Sequence, residues 1–179
     1  MNIIINEETR LELTVESHAA GLFAAINTNR QHLSEFLPWV GYMQAVEDVR
    51  AYLKNCEILY AEQKEISFVI FYNNTVVGRI GIHYINQMNK SGAIGYWLTK
   101  EAEGKGIITK SCIAIINHGF KELSLNRIEL KAAVKNFRSQ AIPERLGFIK
   151  EGTMRQAERV NEIFLDLHLY AMLREDWKG

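Results

Sequence analysis

The sequence predicts an α/β fold with a mixed, mostly antiparallel central sheet that helices flank. Residues 66–72, 75–84 and 93–98 form strand-like runs, and a turn between the first two makes them a hairpin. The helix-like run 107–123 then leads to another strand-like run at 127–134. Because a helix separates strands 93–98 and 127–134, these two strands should be parallel. With the remaining signals, the sequence predicts about six or seven strands and about four helices.

Two amphipathic helices are expected before the first long strand. After a short strand at Leu11 and Leu13, Thr14 or Ser17 can cap the first helix. Its apolar face contains Leu22, Phe23, Ile26 and Leu33. Pro38 should end this helix and leave Trp39 in a loop. The second helix places apolar side chains at helical spacing, namely Val46, Val49, Leu53, Cys56 and Tyr60.

The remaining elements follow from turn and stop signals. Asn73 and Asn74 suit a tight hairpin turn, because asparagine tolerates positive φ. Residues 136–146 predict a short helix that Gly147 ends. Residues 148–155 and 163–173 predict a closing hairpin.

The composition indicates one cytoplasmic domain that spans residues 1–179. The 20.6 kDa chain is 47% hydrophobic, which is enough for a core. Its formal net charge of +0 argues against a nucleic-acid partner bound through bulk charge. No apolar run approaches the length of a membrane span, and the N-terminus has no signal-peptide pattern. Cys56 and Cys112 should be reduced core thiols, and we expect no metal because the histidines share no ligand spacing.

The most informative segment is 101–109, which contains Gly104, Lys105 and Gly106. It lies between a strand-like run and a helix-like run. The first N–H groups of a helix have no partner inside the helix, and the helix dipole is positive there. Glycines also let a phosphate approach the backbone closely. The segment therefore indicates a site for a phosphate-bearing ligand.

Two common phosphate-binding motifs fit this segment poorly. A P-loop requires glycine at the place of Lys100 and serine or threonine at that of Gly106. A dinucleotide fingerprint requires glycine at the place of Thr109 and an alternating βα pattern, but the preceding strands form a hairpin. On the loop alone, a cradle of the coenzyme A type and a plain glycine-rich helix start both remain open.

Several short segments occur in a characteristic order along nearly the whole chain. They are Leu37-Pro38-Trp39, Tyr96-Trp97-Leu98, Gly104-Lys105-Gly106-Ile107-Ile108-Thr109-Lys110, Asn136-Phe137-Arg138-Ser139, Leu146-Gly147-Phe148, Glu151-Gly152, and the final Asp166, Tyr170 and Trp177. In this order and spacing they resemble the GCN5-related N-acetyltransferases (GNAT). They are most similar to the ribosomal-protein N-terminal branch, the RimJ/RimL type. The resemblance implies a GNAT-type sheet with a splayed cofactor cleft.

The resemblance also implies that acetyl-coenzyme A is the donor, a co-substrate, and that an amine is the acceptor. The donor would lie between strands 93–98 and 127–134. Its pantetheine would bind the backbone of Tyr96, Trp97 and Leu98 and the side chain of Asn136. Its pyrophosphate would bind the backbone N–H groups of Glu103, Gly104, Lys105, Gly106, Ile107, Ile108 and Thr109. The Lys105 side chain either adds charge to that site or is simply solvated.

Two residues depart from the family pattern. The family often carries arginine or glutamine at the place of Glu101, whose carboxylate would repel a phosphate, so we expect Glu101 to point away. Many members carry a tyrosine at the place of Pro143 that protonates the leaving thiolate. Proline cannot do so, and it also removes a helical hydrogen bond to the carbonyl of Ser139. The proton donor must therefore be another group or water.

Two residues are the candidate catalytic groups. Ser139 lies one helical turn after Asn136 on the same face, and by resemblance its hydroxyl points at the sulfur and donates to the thiolate. By resemblance Glu158, in the segment joining the closing strands, is the general base. Trp39 should pack near the acceptor channel or in the core. Among the histidines only His83, near the end of a central strand, stands near a possible site.

Three functions remain open on the sequence. The leading hypothesis is acetylation of a protein N-terminal α-amine, of the ribosomal-protein type, by direct attack in a ternary complex. The first alternative is acetylation of a small amine such as a polyamine, an amino acid or an aminoglycoside, for which Glu158, Glu162 and Asp166 can form part of an acidic cluster. The second is a non-catalytic acyl-coenzyme A sensor. A homo-oligomer is expected on the resemblance alone.

Overall fold

The computed structural model describes residues 1–179 and contains one open sheet of eight strands. The strands are β1 (Asn2–Ile4), β2 (Thr9–Leu13), β3 (Ile66–Tyr72), β4 (Thr75–Asn86), β5 (Ser91–Leu98), β6 (Arg127–Ala133), β7 (Ile149–Val160) and β8 (Ile163–Leu173). Their order is β1-β2-β3-β4-β5-β6-β8-β7. Only β5 and β6 pair in parallel, and every other pair is antiparallel. The mixed sheet is confirmed, and the strand that the sequence pattern did not reveal is the short edge strand β1.

Five α-helices accompany the sheet, rather than about four. They are α1 (Ala19–Thr28), α2 (Arg30–Leu33), α3 (Val46–Ala61), α4 (Ile107–Lys121) and α5 (Phe137–Arg145). Single 3₁₀ turns lie at Glu16–His18, Pro38–Tyr42 and Lys100–Ala102. None of the helices is both long and apolar enough to span a membrane.

The first predicted helix is divided in two at Asn29. The buried side chain of Asn29 donates to the carbonyl of Ala25 at 3.0 Å and accepts from the amide of Lys100 at 2.9 Å. This contact to a distant loop is invisible in the helical pattern of the sequence. The predicted cap is also wrong, because neither Thr14 nor Ser17 caps α1, and the hydroxyl of Thr14 is buried without a partner.

The core has two layers, one on each face of the sheet. Alternate residues of β3 point to opposite faces, so Phe68 packs in the first layer and Val69 in the second. The first layer lies under α4 and includes Ile80, Ile82, Cys112, Ile115, Ile116 and Ile128. The second lies under α1 and α3 and includes Leu22, Ile26, Val49, Leu53 and Trp97. Both cysteines are buried and unpaired, as expected from the sequence.

Close packing fixes α4 on the sheet. A side chain added at Gly119 would place its Cβ 2.8 Å from Ile82 and 2.9 Å from Ile128. A larger residue at that position would therefore require the ends of both isoleucine side chains to shift. This contact sets where the N-terminus of α4 lies relative to β5.

Strands β5 and β6 pair over half of β5 and then separate. Their parallel pairing runs from Ser91 with Arg127 to Ile94 with Leu130. Beyond it, residues 95–98 pair only with β4, and residues 131–133 pair only with β8. The predicted parallel pairing and splayed cleft are thus confirmed.

The closing hairpin is longer than predicted. Strand β7 continues to Val160, and the turn consists of Asn161 and Glu162, with φ of 47° and 66°. Glu158 therefore lies inside β7, opposite Leu165, and not in a connecting segment. A strand position fixes its backbone more firmly than the loop that the sequence predicted.

Candidate active site

A cavity of about 1470 Å³ opens where β5 and β6 separate. Pockets for one small ligand usually measure about 300–1,000 Å³, so this cavity has room for two substrates. All but one of the predicted site residues line it, namely Tyr96, Trp97, Leu98, Glu103, Gly104, Gly106, Ile107, Ile108, Thr109, Asn136, Ser139 and Glu158. The exception is Lys105, whose ammonium lies 4.7 Å from the ring centre of Tyr72.

A row of free amides forms one end of the cavity. Gly104 and Gly106 have φ of 74° and 73°, a conformation that favours glycine. The first hydrogen bond of α4 runs from the amide of Lys110 to the carbonyl of Gly106 at 3.0 Å. The amides of residues 104–109 have no acceptor in the protein. At the positive end of a helix, such a row can bind a phosphate.

The row begins at Gly104 rather than at Glu103. The amide of Glu103 donates to the carbonyl of Lys100 at 3.2 Å. The carboxylate of Glu103 pairs with His32 at 3.0 Å and with Arg138. The Glu103 amide, which we expected to bind the pyrophosphate, is therefore already hydrogen-bonded within the protein. Glu101 is exposed and does not line the cavity, as expected.

Two arginines that the sequence analysis missed lie at this end of the cavity. Arg138 pairs with Glu103, and Arg145 donates to the hydroxyl of Thr109 at 3.3 Å. Both line the cavity. They are seven residues apart on α5, so they share one helix face, and this spacing was a readable signal. These side chains, rather than Lys105, supply positive charge beside the amide row.

Asn136 caps α5 and leaves its side-chain nitrogen free. Its side-chain oxygen accepts from the amide of Ser139 at 3.1 Å and so caps α5. Its side-chain nitrogen has no partner in the protein, and the residue lines the cavity. The helix then ends before Gly147, whose φ of 78° matches the predicted stop signal.

Pro143 explains a contact that holds Ser139. Proline has no N–H, so the carbonyl of Ser139 loses its helical partner. The hydroxyl of Tyr96 fills that vacancy, with 3.1 Å to the carbonyl oxygen of Ser139 and 3.2 Å to its hydroxyl oxygen. Burial raises the pKa of Tyr96, so the phenol stays protonated and can donate. The contact bridges β5 and α5.

The cavity lining also includes Glu158. Burial raises the pKa of the Glu158 carboxyl, and the nearby charge of Lys131 lowers it by a smaller amount. Trp39 also lines the cavity, and its ring lies 5.9 Å from that of Trp97. A carboxylate with a raised pKa is suited to accept a proton near neutral pH.

A buried ionic network contributes Tyr52, Arg79 and His83 to the cavity lining. Arg79 is only 8% exposed and donates to Glu65 at 2.8 Å and to Ser67 at 2.6 Å. It also donates to Cys56 at 3.1 Å and to the hydroxyl of Tyr52. The second carboxylate oxygen of Glu65 lies 2.9 Å from Nδ1 of His83, which lines the cavity.

The charge state of Glu65 follows from these contacts. Burial raises the pKa of Glu65, but the hydrogen bond and charge of His83 and the charge of Arg79 lower it to about 2. The sequence analysis noted only His83. The readable signal was Arg79 itself, a charged residue inside the apolar run of β4.

Comparisons with known proteins agree with this geometry. Residues 9–149 match the model of the acetyltransferase (GNAT) domain. The chain belongs to the GNAT acetyltransferase family. It is 36% identical to the putative ribosomal N-acetyltransferase YdaF of Bacillus subtilis, over 98% of this chain and 96% of that one. It is 33% identical to the ribosomal-protein-serine acetyltransferase of Escherichia coli, over 96% of each chain.

A solved structure extends the similarity to a ligand-bound state. The chain resembles RimL, a ribosomal L7/L12 alpha-N-protein acetyltransferase in complex with coenzyme A, with a TM-score of 0.94 at 28% identity. The match covers 98% of this chain and 99% of that one. The GNAT protein described here is thus an acetyl-coenzyme A-dependent N-acetyltransferase.

The residues present fit acetyl-coenzyme A as a co-substrate. The free amide row and the two arginines suit its phosphates, and the edge of residues 95–98 that faces away from β4 suits its amide-containing arm. The RimL complex is described with a disulfide between coenzyme A and a cysteine. Neither Cys56 nor Cys112 lines the cavity of this GNAT protein, so it has no thiol for such a bond.

Proposed function

We propose that this GNAT acetyltransferase transfers the acetyl group to the N-terminal α-amine of a protein, by direct attack in a ternary complex. The observation that carries the proposal is the single large cavity that contains the amide row, Ser139 and Glu158. The named activities of two relatives, both on ribosomal proteins, support this class of acceptor. We place the reaction in the cytoplasm, where ribosomal proteins are made. Homo-oligomer formation stays a prediction.

In this proposal the donor binds mainly through the backbone. The amides of Gly104, Lys105, Gly106, Ile107, Ile108 and Thr109 bind the pyrophosphate, and Arg138 and Arg145 add charge. The backbone of Tyr96, Trp97 and Leu98 and the free side-chain nitrogen of Asn136 hold the pantetheine. An amide in β5, at Trp97 or Leu98, donates to the carbonyl oxygen as it gains charge.

Ser139 assists departure of the thiol. Tyr96 holds the Ser139 backbone by donating its phenol proton to the Ser139 carbonyl, which leaves the nearby serine hydroxyl with its own proton to donate. A serine held in this way can donate to a thiolate as negative charge develops on sulfur. It thereby replaces the tyrosine that proline excludes from position 143.

Glu158 accepts a proton from the acceptor nitrogen. It is half-buried, it lines the cavity, and burial raises the pKa of its carboxyl. A base at this position contributes typically about 10²–10⁴-fold to rate. The bound geometry of the two substrates contributes the rest.

The acidic cluster that a polyamine would need is weaker than the sequence suggested. Glu162 is 89% exposed and pairs with Arg159. Asp166 is exposed and accepts from the amide of Gln156 at 2.8 Å. Neither residue lines the cavity, so only Glu158 of the three faces it.

The test is thiol release from acetyl-coenzyme A with a panel of N-terminal peptides, polyamines and aminoglycosides. Peptide-dependent release that falls in both Ser139→Ala and Glu158→Gln supports the proposal and both roles. Release with small amines alone overturns the proposed acceptor. Coenzyme A binding without any turnover would instead indicate a sensor.

A further inference from the structure

The buried network of Arg79 and Glu65 leaves one nitrogen of His83 free. Nδ1 of His83 lies 2.9 Å from Glu65, and no protein group contacts Nε2 within hydrogen-bonding distance. The His83 side chain is 22% exposed and lines the large cavity. Since Glu65 is a carboxylate and can only accept, it holds the proton of the neutral ring on Nδ1. The lone pair then resides on Nε2.

The ring of His83 lies over the strand that borders the cleft. A Cβ added at Gly95 would lie 3.3 Å from both Cδ2 and Nε2 of His83. Gly95 directly precedes Tyr96 in β5, in the part of the strand that has separated from β6. Because Gly95 has no side chain, Nε2 of His83 can lie close to this strand beside the cleft.

The network holds the ring in this position. Arg79 fixes Glu65, and Ser67, Cys56 and Tyr52 fix Arg79. A carboxylate that is itself immobilised orients an imidazole and favours one tautomer. A histidine that only filled space would not need this support or an exposed nitrogen.

The reaction requires two proton acceptors. An ammonium acceptor loses one proton before attack and a second after its lone pair forms the C–N bond to the acetyl carbon. The C–S bond breaks, and the sulfur leaves as the thiol with the proton of the Ser139 hydroxyl. The second nitrogen proton then restores that hydroxyl, and the first is released to solvent. The second proton comes from a cationic amide-like nitrogen that is far more acidic than the ammonium, so a carboxylate can accept it.

We propose that Nε2 of His83 accepts the first proton, from the acceptor ammonium, and that Glu158 accepts the second. This inference rests on the proposed transfer to an amine. An imidazole with one nitrogen held by a carboxylate and the other nitrogen free is the arrangement of a general base. The titratable groups nearest His83 are Glu65 and Tyr84, with Arg79 and Tyr52 behind Glu65 in the network, and Lys131 and Glu158 line the same cavity.

The test compares two acceptors in wild type and in His83→Asn. One is the peptide or amine that wild type acetylates best, and the other is its aminooxy analogue, which is uncharged at neutral pH and needs no first deprotonation. Asparagine keeps a donor for Glu65. We expect kcat/KM at pH 7 to fall about 100-fold with the ordinary amine and less than fivefold with the analogue. His168→Asn, at a histidine outside the cavity, should change neither value.

The pH dependence gives a second readout. With the ordinary amine, the acid limb of the kcat/KM profile should change in His83→Asn, because one of the two proton acceptors is then missing. Coenzyme A affinity and melting temperature should stay unchanged. Equal losses with both acceptors, or an unchanged acid limb, would overturn the role of His83 and indicate a structural one.

The two proposals fail in different ways. A wild type that acetylates only small amines overturns the protein acceptor. The ratio between wild type and His83→Asn on those amines still decides the role of His83. His83→Gln provides a second variant if His83→Asn melts early.

Discussion

The two sides of the cleft are built by different means. The donor side consists mostly of backbone groups from consecutive residues, the amides of 104–109 and the free edge of residues 95–98. The acceptor side consists of side chains from separate elements, with Glu158 on β7 and His83 on β4, held by Glu65 and Arg79. A backbone site tolerates most side-chain changes, whereas a side-chain site depends on each group. The donor can therefore stay common to many sequences while the acceptor side varies.

The largest effect is expected from the acceptor side. Glu158→Gln should lower kcat by about 10²-fold or more, because the amide cannot accept the proton. Coenzyme A affinity should stay unchanged, since that site is on the other side of the cleft. Steady-state kinetics and calorimetric titration measure the two quantities. Glu162→Gln, at an exposed position of the same hairpin, is the control, and an equal loss there would contradict the comparison.

The next largest effect is expected on stability, from the buried network of Arg79 and Glu65. Glu65→Gln leaves Arg79 without its buried partner, and we expect a loss of about 3 kcal/mol of unfolding free energy at pH 7. The pKa of Glu65 is lowered to about 2. Its contribution is therefore complete above the unfolded value near 4.5 and is lost as pH falls toward 2.

Denaturant titrations of both proteins between pH 7 and pH 3 measure this dependence. The difference between wild type and Glu65→Gln should shrink as the pH falls. A difference that stays constant with pH would mean that the charge of Glu65 does not stabilise the fold.

The link between Pro143 and Tyr96 should have a smaller effect. Tyr96→Phe removes the hydroxyl that holds Ser139 and should lower kcat about 3–10-fold, the value of one neutral hydrogen bond. Pro143→Ala restores an N–H that competes for the carbonyl of Ser139. It should lower kcat in the same direction while raising the melting temperature, because α5 loses its proline. If both variants kept full activity, the contact between Tyr96 and Ser139 would have no role in catalysis.

The smallest effect on kcat is expected from a single change in the backbone site, which should act on binding instead. Gly106→Ala places a side chain at φ of 73°, which costs about 1–2 kcal/mol, although no atom lies within 4 Å. Coenzyme A affinity should fall by about tenfold, with kcat little changed. Gly152→Ala also adds a methyl group in open space, but without positive φ, and should leave affinity unchanged.

The sequence predicts the donor side well because that side is local. Gly104, Gly106 and the start of α4 are neighbours in the chain, and Asn136 and Ser139 lie one turn apart. The loss of the hydrogen bond at Pro143 is also predictable, since it depends on position i−4 alone. Its replacement by Tyr96 is not, because that contact joins residues 43 positions apart.

The acceptor side is poorly predicted because it depends on strand register. Arg79 lies opposite Val69, and Ser67 lies opposite Gly81, so the polar residues of β3 and β4 share one face only in this pairing. A shift by one residue would turn them to the other face. The position of Glu158 is hard to predict for a similar reason, since the length of β7 decides whether this residue is in a strand or a loop.

The most direct test of the proposed activity is the position of the transferred acetyl group. Purified ribosomal proteins lacking N-terminal modification would be incubated with this GNAT protein and isotopically labelled acetyl-coenzyme A, then digested and sequenced by tandem mass spectrometry. We predict one labelled acetyl group on the N-terminal α-amine of at least one protein, absent with Glu158→Gln. Label on lysine side chains only, or no label while small amines are acetylated in the same mixture, would contradict the proposed function.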